Sequence, residues 1–389
     1  MNKPNIIQFI CYSPRIYSGF DNFQVSLSRE LYEKSYHNIV AYSDTINIPK
    51  LEKDISDNNG IIEIISTKNN ITIIRDILKI IIKYKPKIVH THFDNRIHLI
   101  VALLSLLFRI DFYFSFWSEI TTFSPKEYIR EKGIAKYLLL RSYFRVLVLT
   151  SKRAFMGSKA IHNQFLTFYS EDLSKIQTFY LGTEIYINNK DRNLLRTNYK
   201  VPKDFMVISN ISAIEYIKGI HVLIEALGLL KEKYDITNFV CYHIGTIRSV
   251  TKESVWFYES LIELIKSKNL QLNFVWLEFL DNVTDILKIS DIYVHPSLQE
   301  GLGTANLEAA TQSLPIIGSN VGGIPEIVHH NKNGYLFSAE SAEELANYLN
   351  LLMIDKDLRL KMGDESLKII KNNFNMDSQI TLLTQFYLF

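Results

Sequence analysis

Cysteine is almost missing from this sequence: Cys11 and Cys241 are the only two in 389 residues. Far apart and without partners at metal-ligand spacing, they exclude a disulfide scaffold and a cysteine zinc site. Both read as small core hydrophobes in a reducing compartment. An excess of either charge is lacking too. Forty-three basic residues against 41 acidic ones leave a net charge of +2, so no global field draws nucleic acid. No long hydrophobic run is present. The most apolar stretch, Leu99 to Phe108, is far shorter than the roughly 20 residues a membrane span needs, and predicts a buried helix. The opening MNKPNIIQFI has no basic segment followed by a long apolar stretch and a small-residue cleavage site, so no signal peptide is expected. A glycine-rich dinucleotide turn is also lacking: Pro14 to Phe20 contains one glycine, which disfavours a nicotinamide oxidoreductase. The expected location is the cytoplasm.

What is present is alternation. In the first half, short apolar runs at Ile6–Ile10, Ile39–Tyr42, Ile61–Ile65, Lys87–His90 and Phe112–Phe116 read as strands. Between them lie helical patterns, such as Phe23, Leu27 and Leu31 at a spacing of four and the runs Ile71–Tyr84 and Ile97–Phe108. The pattern restarts in the second half. Strands are predicted at Phe205–Ser209, Asn238–His243, Phe274–Leu277, Ile292–His295 and Ile316–Ser319, and helices at Gly219–Leu230, Val255–Lys268 and from Thr304. Such βαβ repeats build parallel sheets covered on both faces. The expected fold is α/β, with two doubly wound Rossmann-like domains facing a central cleft. The polar stretch 182–200 is the expected linker. The domains are placed at 1–185 and 186–370, with 371–389 crossing back to the first. Phe374, Phe386, Tyr387 and Phe389 are expected to hold the halves together.

The most informative stretch runs from Asp291 to Phe337. A strand ends at His295, a loop carries Glu300, Gly301, Leu302 and Gly303, and a helix opens at Thr304. Glycines let backbone amides approach a diphosphate, and a helix N-terminus favours anions. The amides of Gly303, Thr304, Ala305 and Asn306 are the candidates for that role. Glu308, one turn into the helix, can accept two hydrogen bonds from a ribose diol, and Glu300 can accept sugar hydroxyls. Each residue alone also fits a plain turn or a solvated helix; the constellation does not.

Glu300 and Glu308, with SLPIIGSNVGGIPEIV and NGYLF downstream, resemble the donor-site signature of glycosyltransferase family 4. By order and spacing the likeness covers nearly the whole chain. It implies the GT-B fold and a retaining transfer from a UDP- or GDP-sugar to a saccharide acceptor, with the first glutamate on the donor sugar and the second on the ribose. It implies front-face attack, in which the donor phosphate takes the acceptor proton, and no metal or other cofactor. Lys218-Gly219 resembles the segment that supplies a diphosphate-binding lysine. The family commonly has an arginine five residues earlier, and this chain has Ala213. Gly245 ends a strand where the family has a glycine turn near the nucleotide. Gly19 matches one of a glycine pair near the donor phosphates, after Tyr17.

On the acceptor side, His92 matches a strand-end histidine of the family and joins Glu300 and Lys218 as a catalytic candidate. Where many relatives have a histidine, Trp117 follows the fifth strand. Trp117 and Glu119 are acceptor-side candidates, for stacking and for accepting hydroxyls. Residues 126–159 carry nine lysines and arginines against Glu127 and Glu131, interleaved with tyrosines. They admit two readings, a solvated helix face or a surface for an anionic bilayer. The second implies a lipid-linked saccharide acceptor in envelope or capsular polysaccharide synthesis and a peripheral place on the inner membrane face. Asp355-Lys356-Asp357 mimics a metal motif but sits in a polar turn. A nucleotide-sugar epimerase and a non-catalytic sugar-nucleotide binder stay open as alternatives.

Overall fold

The computed structural model describes residues 3–12, 18–46, 48–93, 95–120, 124–247, 249–278, 280 and 283–388. Pro14, Tyr17 and Phe389 lie outside them. The chain divides into two units, Met1–Gly182 together with Met376–Phe389, and Thr183–Asn375.

The first unit holds β1 (Asn5–Ile10), β2 (His37–Ser43), β3 (Ile61–Ile65), β4 (Ile88–His92), β5 (Asp111–Phe116), β6 (Arg153–Met156) and β7 (Ile176–Thr178). All pair in parallel in the order β3-β2-β1-β4-β5-β6-β7. The second unit holds β8 (Met206–Ile211), β9 (Phe239–Ile244), β10 (Phe274–Leu277), β11 (Ile292–His295), β12 (Ile316–Ser319) and β13 (Gly334–Phe337). Its parallel order is β10-β9-β8-β11-β12-β13. In each sheet the strand order reverses direction once, between β1 and β4 and between β8 and β11. Loops leaving the carboxyl ends of those strands diverge to opposite faces and open a crevice.

Helices cover both faces of each sheet, as the apolar periodicity requires. Phe23, Leu27 and Leu31 are fully buried, as are Ile220, Leu223, Ile224, Leu227 and Leu230. Each β-core is built from strands buried along nearly their whole length. Three strands escape a reading of the sequence: β6, β7 and β13. They have three or four residues each, and it is pairing with a neighbouring strand that makes them strands.

Three other expectations change. Leu99–Phe108 is not buried all round. In the helix Asn95–Phe108, Val101, Ala102 and Ser105 face the sheet, while Leu103, Leu106 and Leu107 are 53%, 58% and 73% exposed. The expected linker carries a helix, Arg192–Asn198, capped by Asp191 and pinned by Arg192, whose Nη2 lies 2.7 Å from Asp291 Oδ1. The returning segment starts at Met376, because the helix Lys356–Asn373 lies wholly in the second unit. In that segment, Met376–Leu388, Tyr387 and Phe386 pack on Tyr113 and Phe155, so this helix completes the core of the first unit.

Candidate active site

The second unit gathers its polar side chains at the β8/β11 switch point. Beyond β8 the chain makes a single 3-10 turn, Tyr216–Lys218, and then the helix Ile220–Tyr234. Gly219 joins them at φ +66°, and a Cβ there would lie 1.9 Å from the Pro296 carbonyl oxygen. Only glycine allows this turn to press against the loop beyond β11, and the Leu298 amide stitches the two by donating to Ile217 O at 2.7 Å. Gly245 does the same one strand over. Its Cβ would meet Ser212 O at 1.9 Å, so it acts by letting the β9 loop lie on the β8 loop.

This packing delivers Lys218 to Glu300. Lys218 Nζ lies 2.9 Å from Glu300 Oε2. His295 Nε2 reaches the same oxygen at 3.0 Å and the Ser297 hydroxyl at 3.2 Å. With Nε2 donating to the carboxylate, His295 Nδ1 is left to accept from Tyr293 OH at 3.3 Å. Burial alone would raise the Glu300 pKa. The hydrogen bond from His295 and the charge of Lys218 outweigh it and hold the carboxyl well below its ordinary range. Glu300 is therefore an anion throughout the neutral range, fixed by three donors.

Glu308 is its opposite. It lies on the helix Thr304–Thr311, and its carboxylate makes no hydrogen bond among the described residues. Burial pushes its pKa up to about 7. Glu308 is half-buried on that helix. Two glutamates eight positions apart thus occupy opposite electrostatic states, one locked and one in need of a partner.

Gly303 supplies the turn between them. It precedes the helix at φ +83°, and a Cβ would come within 2.7 Å of Asn306 Nδ2. The helix has no side-chain cap. The amides of Gly303, Thr304 and Ala305 make no hydrogen bond among the described residues, so they stay available for an anion. The Asn306 amide does not join them, because it donates to Gly303 O at 2.9 Å. What Asn306 offers instead is its side chain, fully buried with both amide atoms unpartnered. Gly301 and Leu302 are buried loop residues. Ala213 lies in the β8 loop, and among the described residues no arginine reaches Glu300.

Residues 191–368 match the family model of glycosyl transferases group 1. The matched stretch lies within the second unit and contains Lys218, Glu300 and Glu308. N-acetyl-alpha-D-glucosaminyl L-malate synthase of Bacillus anthracis is 23% identical over 54% of this chain and 53% of its own length. The capsular polysaccharide biosynthesis glycosyltransferase CapM of Staphylococcus aureus is 23% identical over 62% of each. The chain therefore matches only about half to three-fifths of the length of these relatives. The crystal structure of HepE from Anabaena in complex with UDP and glucose superimposes with a TM-score of 0.81 over 97% of this chain and 98% of HepE, at 16% identity. Two parallel-sheet Rossmann-like units, as in this neighbour, make the architecture GT-B.

The remaining candidates lie in the first unit, around the β1/β4 switch. Gly19 opens the helix Gly19–Glu33 behind Ser18, whose capping box with Asp21 fixes the turn. A Cβ on Gly19 would meet nothing within 4 Å, so this position faces open space. His92 is fully buried. Its Nδ1 accepts from Trp117 Nε1 at 3.1 Å and its Nε2 lies 2.9 Å from Gln8 Oε1. Burial, then His98, pushes its pKa well down. Neither ring nitrogen is left for a substrate, so the structure makes His92 a support and not a proton-transfer group. Trp117 stacks on it at an interplanar angle of 20° and packs on Phe20, Phe93 and Phe179. The bare α-carbon of Gly157 makes room for the indole. Glu119 is half-buried nearby in sequence. Asp355 caps the helix Lys356–Asn373, accepting from Leu358 N at 2.8 Å.

Sequence reasoning missed His295, Ser297 and Tyr293 as the frame of Glu300. A signal was there: in a strand buried on both faces, tyrosine and histidine stand two apart, on one side of the pleat, just ahead of the glycine loop.

Proposed function

We propose that this chain is a retaining glycosyltransferase that moves a sugar from a UDP- or GDP-sugar onto a saccharide acceptor. The observation that carries the reading is the set Lys218, Glu300 and the three free amides of Gly303, Thr304 and Ala305, assembled at the switch point of the unit that holds the group 1 match. In this reading the amides and Lys218 bind the diphosphate and stabilise charge on the departing nucleotide, which is the largest contribution a protein makes to such a displacement. Glu300, ionised and immobile, receives hydroxyls of the donor sugar. Glu308 receives the ribose diol. The acceptor proton passes to the donor phosphate, so no side chain has to act as general base, and the protein's part is positioning and charge. The scheme routes no step through a metal. HepE has been crystallised with UDP-glucose, which supports a nucleotide-sugar donor here.

The acceptor in this reading is lipid-linked and belongs to envelope or capsular polysaccharide synthesis at the cytoplasmic membrane face. Among the described residues no helix is long and apolar enough to cross a membrane. The support comes from the first unit's surface. The helix Ile134–Thr150 contains Lys136, Arg141 and Arg145 and no acidic residue, and exposes Ile134, Leu138, Leu139 and Leu149. The exposed leucines of Asn95–Phe108 add to it. Apolar side chains among basic ones suit an anionic interface.

The test is nucleotide release from UDP- and GDP-sugars, with and without an acceptor, together with the anomeric configuration of the product by proton NMR. Acceptor-dependent release with retention is expected. Sugar interconversion without acceptor, an inverted product, or nucleotide binding with no turnover would each sink it.

A further inference from the structure

A chain of hydrogen bonds runs unbroken through the middle of the first sheet, and the proposed function does not use it. Trp117 can only donate through Nε1, and it donates to His92 Nδ1 at 3.1 Å. His92 must then carry its proton on Nε2, which donates to Gln8 Oε1 at 2.9 Å. The Gln8 amide nitrogen donates to Tyr387 OH at 3.3 Å. The Tyr387 hydroxyl donates to His90 Nδ1. His90 Nε2 donates to Ser115 Oγ at 2.7 Å. Trp117, donor-only, fixes His92 as its Nε2–H tautomer; with the Tyr387 proton on the shorter bond to His90 and not on Gln8 Oε1 at 3.5 Å, His90 takes the same form. Burial keeps both rings neutral.

The geometry follows from the pleat. Gln8 of β1, His90 and His92 of β4 and Ser115 of β5 all lie on the face that the helix Met376–Leu388 covers, with Gln8 in register with His90 and His92 with Ser115. Four polar groups on one buried face, all 0% exposed, have no water to turn to. Tyr387 is the member that the last helix brings in, and its hydroxyl joins the two halves of the relay.

We propose that Tyr387 is a positioning residue. Through Gln8 it holds the ring plane of His92, whose tautomer Trp117 sets, and through His92 it fixes where the partly exposed indole of Trp117 stands on the acceptor side. The last helix thereby sets the wall that meets the acceptor. This rests on the reading that the first unit takes the acceptor.

Two variants separate the relay from plain docking of the helix. Tyr387→Phe removes the central hydroxyl. Tyr113→Phe removes a different bond to the same helix, Tyr113 OH to Phe386 O at 2.8 Å, and leaves the relay whole. In 15N-histidine and indole spectra of the substrate-free protein, wild type and Tyr113→Phe should show two Nε2–H histidines and one common Trp117 indole signal. Tyr387→Phe should shift the indole signal and the ring-nitrogen signals of His90, while His92 stays Nε2–H. With UDP-glucose as donor and octyl β-D-glucoside as acceptor probe, Tyr387→Phe should raise the acceptor KM about fivefold, the effect of one lost neutral hydrogen bond, with the donor KM unchanged. Trp117→Phe, which cuts the chain at its first bond, should instead release the His92 tautomer. Unchanged spectra in Tyr387→Phe, or equal effects in the two tyrosine variants, overturn the relay. A wild type that releases no UDP sinks the transferase reading instead, and the histidine spectra still decide the relay.

Discussion

Lys218 Nζ and Glu300 Oε2 stand 2.9 Å apart, joining two loops that leave neighbouring strands on either side of a sheet's switch point. Both side chains are largely buried, at 17% and 14% exposure. A buried pair costs desolvation on both sides, and removing one partner strands the other. Here the stranded charge would be Glu300, with His295 and Ser297 as its remaining support. In the proposed transferase the pair couples diphosphate binding to the geometry of the carboxylate that would receive the sugar.

Replacing Lys218 by Ala should lower kcat/KM by about 10²–10³, in line with the loss of one charge-stabilising group. Lys218→Arg should recover little, because the site is shaped for a single ammonium. Steady-state kinetics with UDP-glucose check this. A Lys218→Ala enzyme within threefold of wild type removes Lys218 from the site.

The two glutamates should separate kinetically. Glu300→Ala should mainly lower kcat, since in the proposed function it receives the transferred sugar. Glu308→Ala should weaken nucleotide binding by roughly 10- to 100-fold, the worth of charge-assisted hydrogen bonds. Calorimetric titration with UDP and GDP, paired with turnover, reads both. Unaltered values in both variants would dissolve the assignment.

Glu308 also predicts a pH dependence of stability. Its folded pKa is raised from 4.5 to about 7 by burial. A carboxyl shifted this way favours the folded state in its acid form, so its contribution is full below about pH 4.5 and is lost as pH rises through 7. Glu308→Gln, neutral at every pH, should be more stable than wild type at pH 8 by on the order of 2–3 kcal/mol. The gap should close below pH 5. Denaturant melts across that range test the sign, and a Gln variant less stable at pH 8 contradicts it. The same variant should bind nucleotide more weakly, which makes the destabilising carboxylate a requirement of binding.

Gly219 and Gly303 should tolerate alanine poorly for different reasons. At Gly219 the new Cβ would strike backbone, the Pro296 carbonyl at 1.9 Å, so Gly219→Ala should push the loops apart and lower the melting temperature. At Gly303 it would meet the end of the Asn306 side chain at 2.7 Å, which can move. Gly303→Ala should keep the fold but lose nucleotide affinity. Equal melting temperatures for both variants would contradict this ranking.

The exposed leucines give a surface prediction. Leu107→Glu with Leu139→Glu should abolish co-sedimentation with vesicles of phosphatidylglycerol and phosphatidylethanolamine, while transfer to octyl β-D-glucoside stays normal. Wild-type protein that ignores such vesicles at low salt removes the membrane reading.

Much of the fold was legible because it was written in local periods. The strands from Ile6 to Ile317 that were predicted fall within two residues of the observed ends wherever five or more residues alternate or run apolar. β6, β7 and β13 were hidden because pairing with a neighbouring strand, not local sequence, makes them strands. In the site, Gly303 and Glu308 were readable from order along the chain. The role of His92 was not, since the same His-Thr-His run serves a substrate contact or an internal bond, and only Gln8 and Trp117 decide between them. The exposed face of Asn95–Phe108 was missed for a related reason: an all-apolar run has no polar stripe to mark which side meets solvent.

The sequence by itself determined two alternating α/β units and the glycine loop with its glutamates, because hydrophobic period and glycine placement act over a few residues. Tertiary structure alone decided that Glu300 is a locked anion and Glu308 an unpartnered acid, and that Tyr387 lies against His90. Those facts depend on dielectric and on partners brought in by strand order, across 82 positions for Lys218 and Glu300 and 297 for His90 and Tyr387.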